Sequence, residues 1–147
     1  MMNEFTKKHL EEILGLKRGA VDFYYREGLV HPEIDDPKGR GTRRRYSKKN
    51  LIEFAVIREL VSSGIPIKQI KAVLDQQRKL GTISWLDPER EWLKKSKVIL
   101  AIHNQGERSE IMWTTNEITV EEITRGSRSV VFIDISAIAA GLRQYLT

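Results

Sequence analysis

Gly15 and Gly28 divide the first thirty residues and restrict the fold more than any other feature of this sequence. Before Gly15, apolar residues of segment 5–14 recur at helical spacing after Thr6, whose hydroxyl can cap the first turn. A second amphipathic segment, residues 17–27, ends at Gly28, where a left-handed C-terminal cap belongs. Two short helices joined by a tight turn with a glycine indicate a helix-turn-helix.

The rest of the first half continues this pattern with a loop and two longer helices. Residues 33–46 are polar, contain Pro and Gly, and suit a two-stranded wing with its tip at 38–41. Ser47 can cap a third helix that Gly64 stops, and Pro66 fits the start of a fourth. The side chains expected to face inward are Ala20, Val21, Tyr24 and Phe23 in the second helix, and Leu51, Phe54, Ala55, Ile57, Leu60 and Val61 in the third.

The second half mixes strand and helix signals. Strands are predicted at 98–102, 110–114 and 129–135, with a turn at 104–106 joining the first two, short helices at 87–95 and 119–125, and a final helix capped by Ser136. The fold class is therefore mainly α with a small β content: an N-terminal winged helix-turn-helix followed by a small α+β unit. The predicted divisions are 1–80 for the first domain, 81–96 for a linker with a short helix, and 97–147 for the α+β domain.

The positive charge is concentrated in the first half. The chain has a formal net charge of +5, yet residues 1–80 hold 17 basic and 11 acidic residues, and residues 81–147 hold 8 and 9. Segment 38–49 has no acid and carries Lys38, Arg40, Arg43, Arg44, Arg45, Lys48 and Lys49. Like charges repel, so such a run favours a surface that meets a polyanion, with a solvated basic loop as the alternative.

Several function classes are disfavoured by what the sequence lacks. It contains no cysteine, which excludes disulfides, thiolate metal sites and a cysteine nucleophile. His9, His31 and His103 lie in separate elements, so we expect no metal site. Phosphate-loop, dinucleotide-binding and zinc-protease motifs are absent, and we expect neither an enzyme nor a bound cofactor. We also expect a cytoplasmic protein, because the sequence shows no signal peptide and no apolar run of membrane-spanning length.

Three strings in the first half carry a family resemblance: FYYREGLVHP (23–32), GTRRRYS (41–47) and GIPI (64–67). In this order they resemble the winged helix-turn-helix domain of MerR-family transcriptional regulators, over about residues 4–80. The resemblance implies a bacterial, sequence-specific regulator that binds a pseudo-palindromic double-stranded DNA operator as a homodimer, with RNA polymerase as a possible partner. It further implies that segment 17–27 enters the major groove and that wing segment 38–46 contacts the DNA backbone.

Candidate DNA contacts combine the resemblance with the chemistry of the side chains. Recognition helices present their first residues to base edges, and an arginine there can bind guanine O6 and N7 bidentately. Alternate residues of a strand share one side, so the first and third arginines of the wing run should face phosphate together. The predicted set is Lys17, Arg18, Tyr24, Arg26, Arg40, Arg43, Arg44, Arg45 and Tyr46, although Tyr24 and Tyr46 suit a core equally well.

Two positions depart from the family pattern. Asp22 stands where the family usually has arginine, and Tyr25 stands where it usually has an acid. Because Asp22 would repel a phosphate, the corresponding family contact should be lost or replaced. If six to eight basic side chains neutralise phosphates, log K should fall with log salt at a slope near about −5 to −7, and a slope shallower than about −2 would contradict binding through groove and wing.

The role of the second half stays open between several alternatives. Trp85, Trp92 and Trp113 are candidates for binding an organic cation, although packing of the unit is the simpler explanation. We expect dimerisation through this unit, either at a strand edge or through an apolar helix face formed by Ile138, Leu142 and Leu146.

Other functions of the whole chain are also possible. One is a protein-interaction module similar to chaperone modulators, but retention of the basic wing favours DNA. An architectural DNA-binding protein is another. RNA is disfavoured, because the major groove of A-form helices is too narrow for a helix.

Overall fold

The computed structural model describes residues 2–39, 43–79, 97–103, 109–114, 126 and 129–146. The described elements are α1 (Lys7–Leu14), α2 (Ala20–Arg26), α3 (Lys48–Ser62), α4 (Ile67–Lys79), β1 (Lys97–His103), β2 (Ser109–Thr114), β3 (Val130–Asp134), α5 (Ile135–Gly141) and α6 (Arg143–Leu146). The predicted helices at 87–95 and 119–125, the turn at 104–106, Arg40, Trp85 and Trp92 lie outside the described residues. The main helices and strands confirm the predicted fold class.

Local capping signals set both ends of α1. The Thr6 hydroxyl accepts a hydrogen bond from the His9 amide at 3.3 Å, and His9 Nδ1 accepts one from the Thr6 amide at 3.1 Å. This reciprocal capping box satisfies two amides that the first turn leaves without partners. Gly15 ends the helix in the left-handed conformation, with φ 64°. Both predicted boundaries of the helix are confirmed.

Helix α2 begins three residues later than predicted. The Ala20 amide donates to the Lys17 carbonyl in a turn, and Gly19 precedes the helix with φ 90°. Lys17 therefore lies before the helix rather than in its first turn. Val21 is buried as expected, but Phe23 is 40% exposed, so its predicted inward position is wrong. The inward face of this seven-residue helix is filled by Val21 and Tyr24.

The wing is joined to the body by backbone pairs rather than by long strands. Asp35 and Arg45 exchange hydrogen bonds of 3.1 and 2.9 Å, and Phe5 and Tyr46 exchange two of 2.8 Å. The second pair connects the residue before α1's cap to the end of the wing. The base of the predicted wing is therefore fixed by two contacts: its two arms pair with each other at Asp35 and Arg45, and its end pairs with Phe5.

Helix α3 is the centre of the molecule. Residues 50–57 are all buried, because α1 and α4 contact the helix together with β3 and α5. Of the six α3 residues predicted to face inward, five are confirmed as buried and Val61, 39% exposed, is wrong; Ile52 and Val56, which were not predicted, are fully buried as well. A helix that packs on several sides needs apolar residues all round.

The C-terminal residues form an antiparallel sheet of order β2-β1-β3. Leu100 of β1 lies opposite Ile111 of β2 and Ile133 of β3. Helix α5 begins after Asp134, whose carboxylate accepts from the Ala137 amide at 2.9 Å. The predicted Ser136 cap is wrong, because that hydroxyl accepts from the Val98 amide at 2.8 Å instead.

The sheet shares a hydrophobic core with the helices of the first half. Ile133, Ile135 and Leu142 belong to the same buried cluster as Leu51 and Phe54. Leu142 is only 7% exposed, and Ile138 and Leu146 pack against the same cluster, so the helix face proposed for dimerisation is largely covered within the chain. The domain divisions at 80 and 97 stay predictions.

No helix in the described part of the chain is long and apolar enough to cross a lipid bilayer.

Candidate nucleic-acid interface

Two arginines fix the ends of the helix-turn-helix against the core. Arg58 of α3 donates from Nη1 to the Leu14 carbonyl at 2.7 Å, at the end of α1. Arg78 of α4 donates from Nη2 to the Leu29 carbonyl, just after α2. Arg58 satisfies a carbonyl that the end of α1 leaves without a partner, and Arg78 binds the segment that follows α2. The two guanidiniums therefore orient α1 and α2 relative to α3 and α4.

Arg78 also pairs with a buried acid. Its Nη2 lies 3.0 Å from Oε2 of Glu53, whose side chain is 5% exposed. Asn50 donates to the other carboxylate oxygen at 3.0 Å and to the His31 carbonyl at 3.0 Å. Burial raises the pKa of the Glu53 carboxyl above its usual value, while the charge of Arg78 lowers it. This network joins α3, α4 and the segment that follows α2.

The outward side of the helix-turn-helix presents cations. Lys17 and Arg18 are exposed in the turn before α2, and Arg26 is exposed in its last turn. Within the described ranges none of the three makes an ion pair or a side-chain hydrogen bond. These guanidiniums and this ammonium group are therefore available to an external anion.

The negative charge of Asp22 is compensated by two nearby cations. Lys7 Nζ of α1 lies 2.9 Å from one carboxylate oxygen, and Arg44 Nη1 of the wing lies 3.9 Å from the other. The repulsion of phosphate expected for Asp22 is thus offset by two adjacent positive charges.

Tyr25 joins α2 to the wing through a group that we term the wing cluster: Tyr25, Asp36, Lys38 and Arg44. The Arg44 guanidinium carbon lies 3.7 Å from the Tyr25 ring centroid, and Arg44 Nε lies 3.5 Å from Asp36. The Tyr25 hydroxyl donates to Asp36 at 2.9 Å, and Lys38 donates to both at 2.9 and 2.8 Å. The hydrogen bond from Lys38 lowers the pKa of the Asp36 carboxyl. Both departures from the family pattern, Asp22 and Tyr25, therefore contact Arg44.

Tyr24 and Tyr46 are core residues. Tyr46 is 1% exposed, its ring meets Phe54 edge-on at 5.3 Å, and its hydroxyl is buried with no hydrogen-bond partner among the described residues. Burial raises the pKa of this phenol. Tyr24 is 8% exposed and lies 6.5 Å from the Phe54 ring. The prediction that these two side chains contact phosphate is corrected, because both rings are buried in the hydrophobic core.

The three consecutive arginines of the wing have different surroundings. Arg43 is exposed and has no ion pair within the part of the chain described. Arg44 is held in the wing cluster with 25% of its side chain exposed. Arg45 is 47% exposed and pairs with Glu4 at 3.2 Å and Asp35 at 3.4 Å. Of the three, Arg43 is the most available to a phosphate.

These elements enclose a concave surface. A cleft of about 610 Å³ lies between α1, α2 and the wing, and its lining includes Lys7, Lys8 and Arg43 as well as the neutralised Asp22. No group of three or more metal-ligating side chains occurs among residues that the structure describes. The arrangement suits a large polyanion that approaches α2 and the wing together.

Comparison with known protein families identifies the first half of the chain. Residues 5–77 match the model of the MerR HTH family regulatory proteins. These residues are a MerR-family helix-turn-helix domain. The resemblance found in the sequence is confirmed. In this MerR domain, α1 and α2 form the helix-turn-helix, and the Asp35–Arg45 pair lies at the base of the wing.

Curated relatives match about half of the chain. Uncharacterized HTH-type transcriptional regulators from Mycobacterium bovis (strain ATCC BAA-935 / AF2122/97) and from two strains of Mycobacterium tuberculosis are each 30% identical over 70 residues. The match covers 48% of this chain and 31% of each relative. The chain therefore spans about a third of the length of these relatives.

Sequence reasoning missed two features of the MerR domain. It did not find the wing cluster, although Asp22 and Tyr25, which depart from the family pattern, were a signal that a nearby arginine contacts both. It also placed Phe23 inward, because helical spacing alone does not show how narrow the buried face of a seven-residue helix is. The side chain of Trp113, in β2, lies outside the described part.

Proposed function

We propose that this chain is a double-stranded DNA-binding transcriptional regulator. In this proposal the turn before α2 and the outward face of α2 enter the major groove, while the wing lies on the flanking backbone. The observation that carries it is the set of exposed cations with no described acidic partner, Lys17, Arg18, Arg26 and Arg43, on one MerR domain. The relatives' names, HTH-type transcriptional regulators, support the same function.

The cations divide between two tasks. Arg18 precedes α2, where a guanidinium reaches base edges, and it is suited to bidentate contact with guanine O6 and N7. Arg43 and Lys17 supply charge to phosphates, which positions the protein without reading sequence. Arg44 acts differently, because its stacking on Tyr25 holds the wing at a set distance from α2.

Adjacent arginines of the wing provide a matched test of this division. The Arg43→Gln variant is expected to make the slope of log K against log salt shallower by about 0.9 per bound subunit, because one phosphate contact is lost. The Arg44→Gln variant is expected to weaken binding while changing the slope by less than half as much, because its charge faces Asp22 and Asp36. Fluorescence anisotropy with a labelled duplex over a salt series measures both slopes.

The outcome of this comparison bears on the wing cluster. Equal changes of slope for the two variants would mean that Arg44 also contacts phosphate, and the cluster would not persist on DNA. No change for Arg43→Gln would remove the wing from the interface. Thermal unfolding of both variants, followed by circular dichroism, shows whether either substitution has unfolded the domain.

We further propose that the protein is a homodimer on a pseudo-palindromic operator. Two-fold symmetric proteins bind half-sites about one helical turn apart. A surface for pairing two chains is offered by β3, which lies at an edge of the described sheet with Phe132 43% exposed. We expect light scattering at tens of micromolar protein to give the mass of two chains. A mass of one chain would contradict the proposal. RNA polymerase, as a partner of the DNA-bound dimer, is proposed from the family alone.

A further inference from the structure

Phe23 is an exposed aromatic residue on the outward face of α2. It is 40% exposed, although Val21 and Tyr24 on the same short helix are buried. Arg26 follows it by three residues, which places the two side chains next to each other on the helix surface. Exposing a large apolar ring to water brings no gain to the fold, so the ring is available to a partner.

The Phe23 ring contacts a residue of the hydrophobic core. Its centroid lies 5.7 Å from that of Tyr24 at an angle of 57°, and Tyr24 in turn lies against Phe54 of α3. Such tilted aromatic pairs are favourable beyond the area that they bury. Tyr24 therefore supports one side of the Phe23 ring, and the ring presents an exposed apolar surface to the solvent.

We propose that Phe23 reads thymine in the operator through the 5-methyl group of that base. The inference rests on the proposed function, because it requires α2 in the major groove. Phenylalanine has no hydrogen-bonding group, and the thymine methyl is the apolar feature that base pairs present in that groove. The exposed cations Arg26, three residues after Phe23, and Arg18, in the turn before α2, favour a nucleic acid over an apolar protein surface as the occupant.

Uracil gives a direct test, because it differs from thymine by this methyl group alone. The probe is a duplex of about 20 base pairs, long enough for two half-sites, selected by the wild-type protein from a randomised pool. It is prepared once with thymine and once with uracil at every thymine position. Anisotropy then gives the affinity ratio of the two duplexes for the wild type, Phe23→Ala and Val61→Ala. Val61 is a suitable control because it is 39% exposed on α3.

The wild type and Val61→Ala are expected to bind the uracil duplex about four-fold more weakly per half-site. This ratio corresponds to the free energy of burying one methyl group. Phe23→Ala is expected to bind the two duplexes with nearly equal affinity. Phe23→Leu, which keeps an apolar side chain, should retain part of the difference. Comparing ratios removes any effect of uracil on DNA stiffness, since that effect is common to all variants.

Two results would overturn the inference in distinguishable ways. If the wild type prefers its selected duplex but the thymine-to-uracil ratio is the same for Phe23→Ala, Phe23 does not read thymine and the proposed function stands. If the wild type selects no duplex from the pool, the proposed function fails and this inference fails with it.

Discussion

The Arg78→Met variant is expected to lower the free energy of unfolding by about 3–5 kcal/mol. Arg78 is the cation that faces the buried Glu53 carboxylate, at 3.0 Å, and its removal leaves that charge without a counter-charge in the core. The Leu29 carbonyl loses its donor at the same time. Methionine keeps the length and apolar stem of the side chain, so the loss reports the charge and its hydrogen bonds.

Urea unfolding followed by circular dichroism at pH 7 measures this loss. The control is Lys71→Met in the same helix, which removes an exposed pair with Asp75 and should cost less than about 1 kcal/mol. The Glu53→Gln, Arg78→Met double variant should regain most of the stability, because no buried charge remains. Equal losses for Arg78→Met and Lys71→Met would contradict the role assigned to the buried pair.

The pH dependence of the Arg78→Met variant has a definite sign. Burial raises the pKa of Glu53 in the folded protein, and the charge of Arg78 opposes this rise, so that removing Arg78 raises the pKa further. The folded variant then binds a proton more readily than its unfolded chain does. Stability linked to this group is therefore retained at low pH and lost as the pH rises through the raised pKa. The loss in free energy of unfolding of Arg78→Met relative to the wild type should be largest near neutral pH. It should become smaller as the pH is lowered toward the ordinary titration range of a carboxyl group.

The sequence was sufficient to predict elements that are set by local interactions. Thr6 and Ser47 cap helices because their hydroxyls reach amides three residues away, and Gly15 ends α1 because glycine adopts a positive φ at little cost. These signals depend on a few neighbouring residues. The exposure of Arg18 and Arg43 follows from a similar general rule, since long charged side chains are rarely buried without a partner. Their contacts with DNA stay a prediction.

Other features depend on contacts between distant segments. Residues 50–57 of α3 are all buried because β3 and α5 contact the helix in addition to α1 and α4, and nothing within residues 48–62 specifies those C-terminal elements. Tyr46 was left open between a phosphate contact and the core, because only its pairing with the distant Phe5 shows that its ring enters the core. The cap of α5 was predicted at Ser136 but lies two residues earlier, at Asp134. Both residue types are good caps, and the Ser136 hydroxyl accepts a hydrogen bond from the Val98 amide of a distant strand instead.

Sequence preference is the second large effect that we expect. Phosphate contacts from Lys17 and Arg43 bind any duplex, so they do not distinguish one sequence from another. Discrimination requires contacts to base edges, for which Arg18 and the outward face of α2 are placed. A regulator with such contacts binds its site at least about 10³-fold more tightly than unrelated DNA. The Arg18→Ala variant should lose much of this preference and keep the non-specific part of the affinity.

The most direct test of the proposed function is the affinity of the protein for its selected duplex and for the same duplex with its sequence shuffled, by anisotropy at two salt concentrations. We expect a preference of about 10³-fold or more for the selected sequence, and a steep loss of affinity for both duplexes as salt is raised. Equal affinity for the two duplexes would contradict a sequence-specific regulator and indicate an architectural DNA-binding protein. Binding to neither duplex at either salt concentration would contradict DNA binding altogether and favour a protein partner for the exposed face of α2.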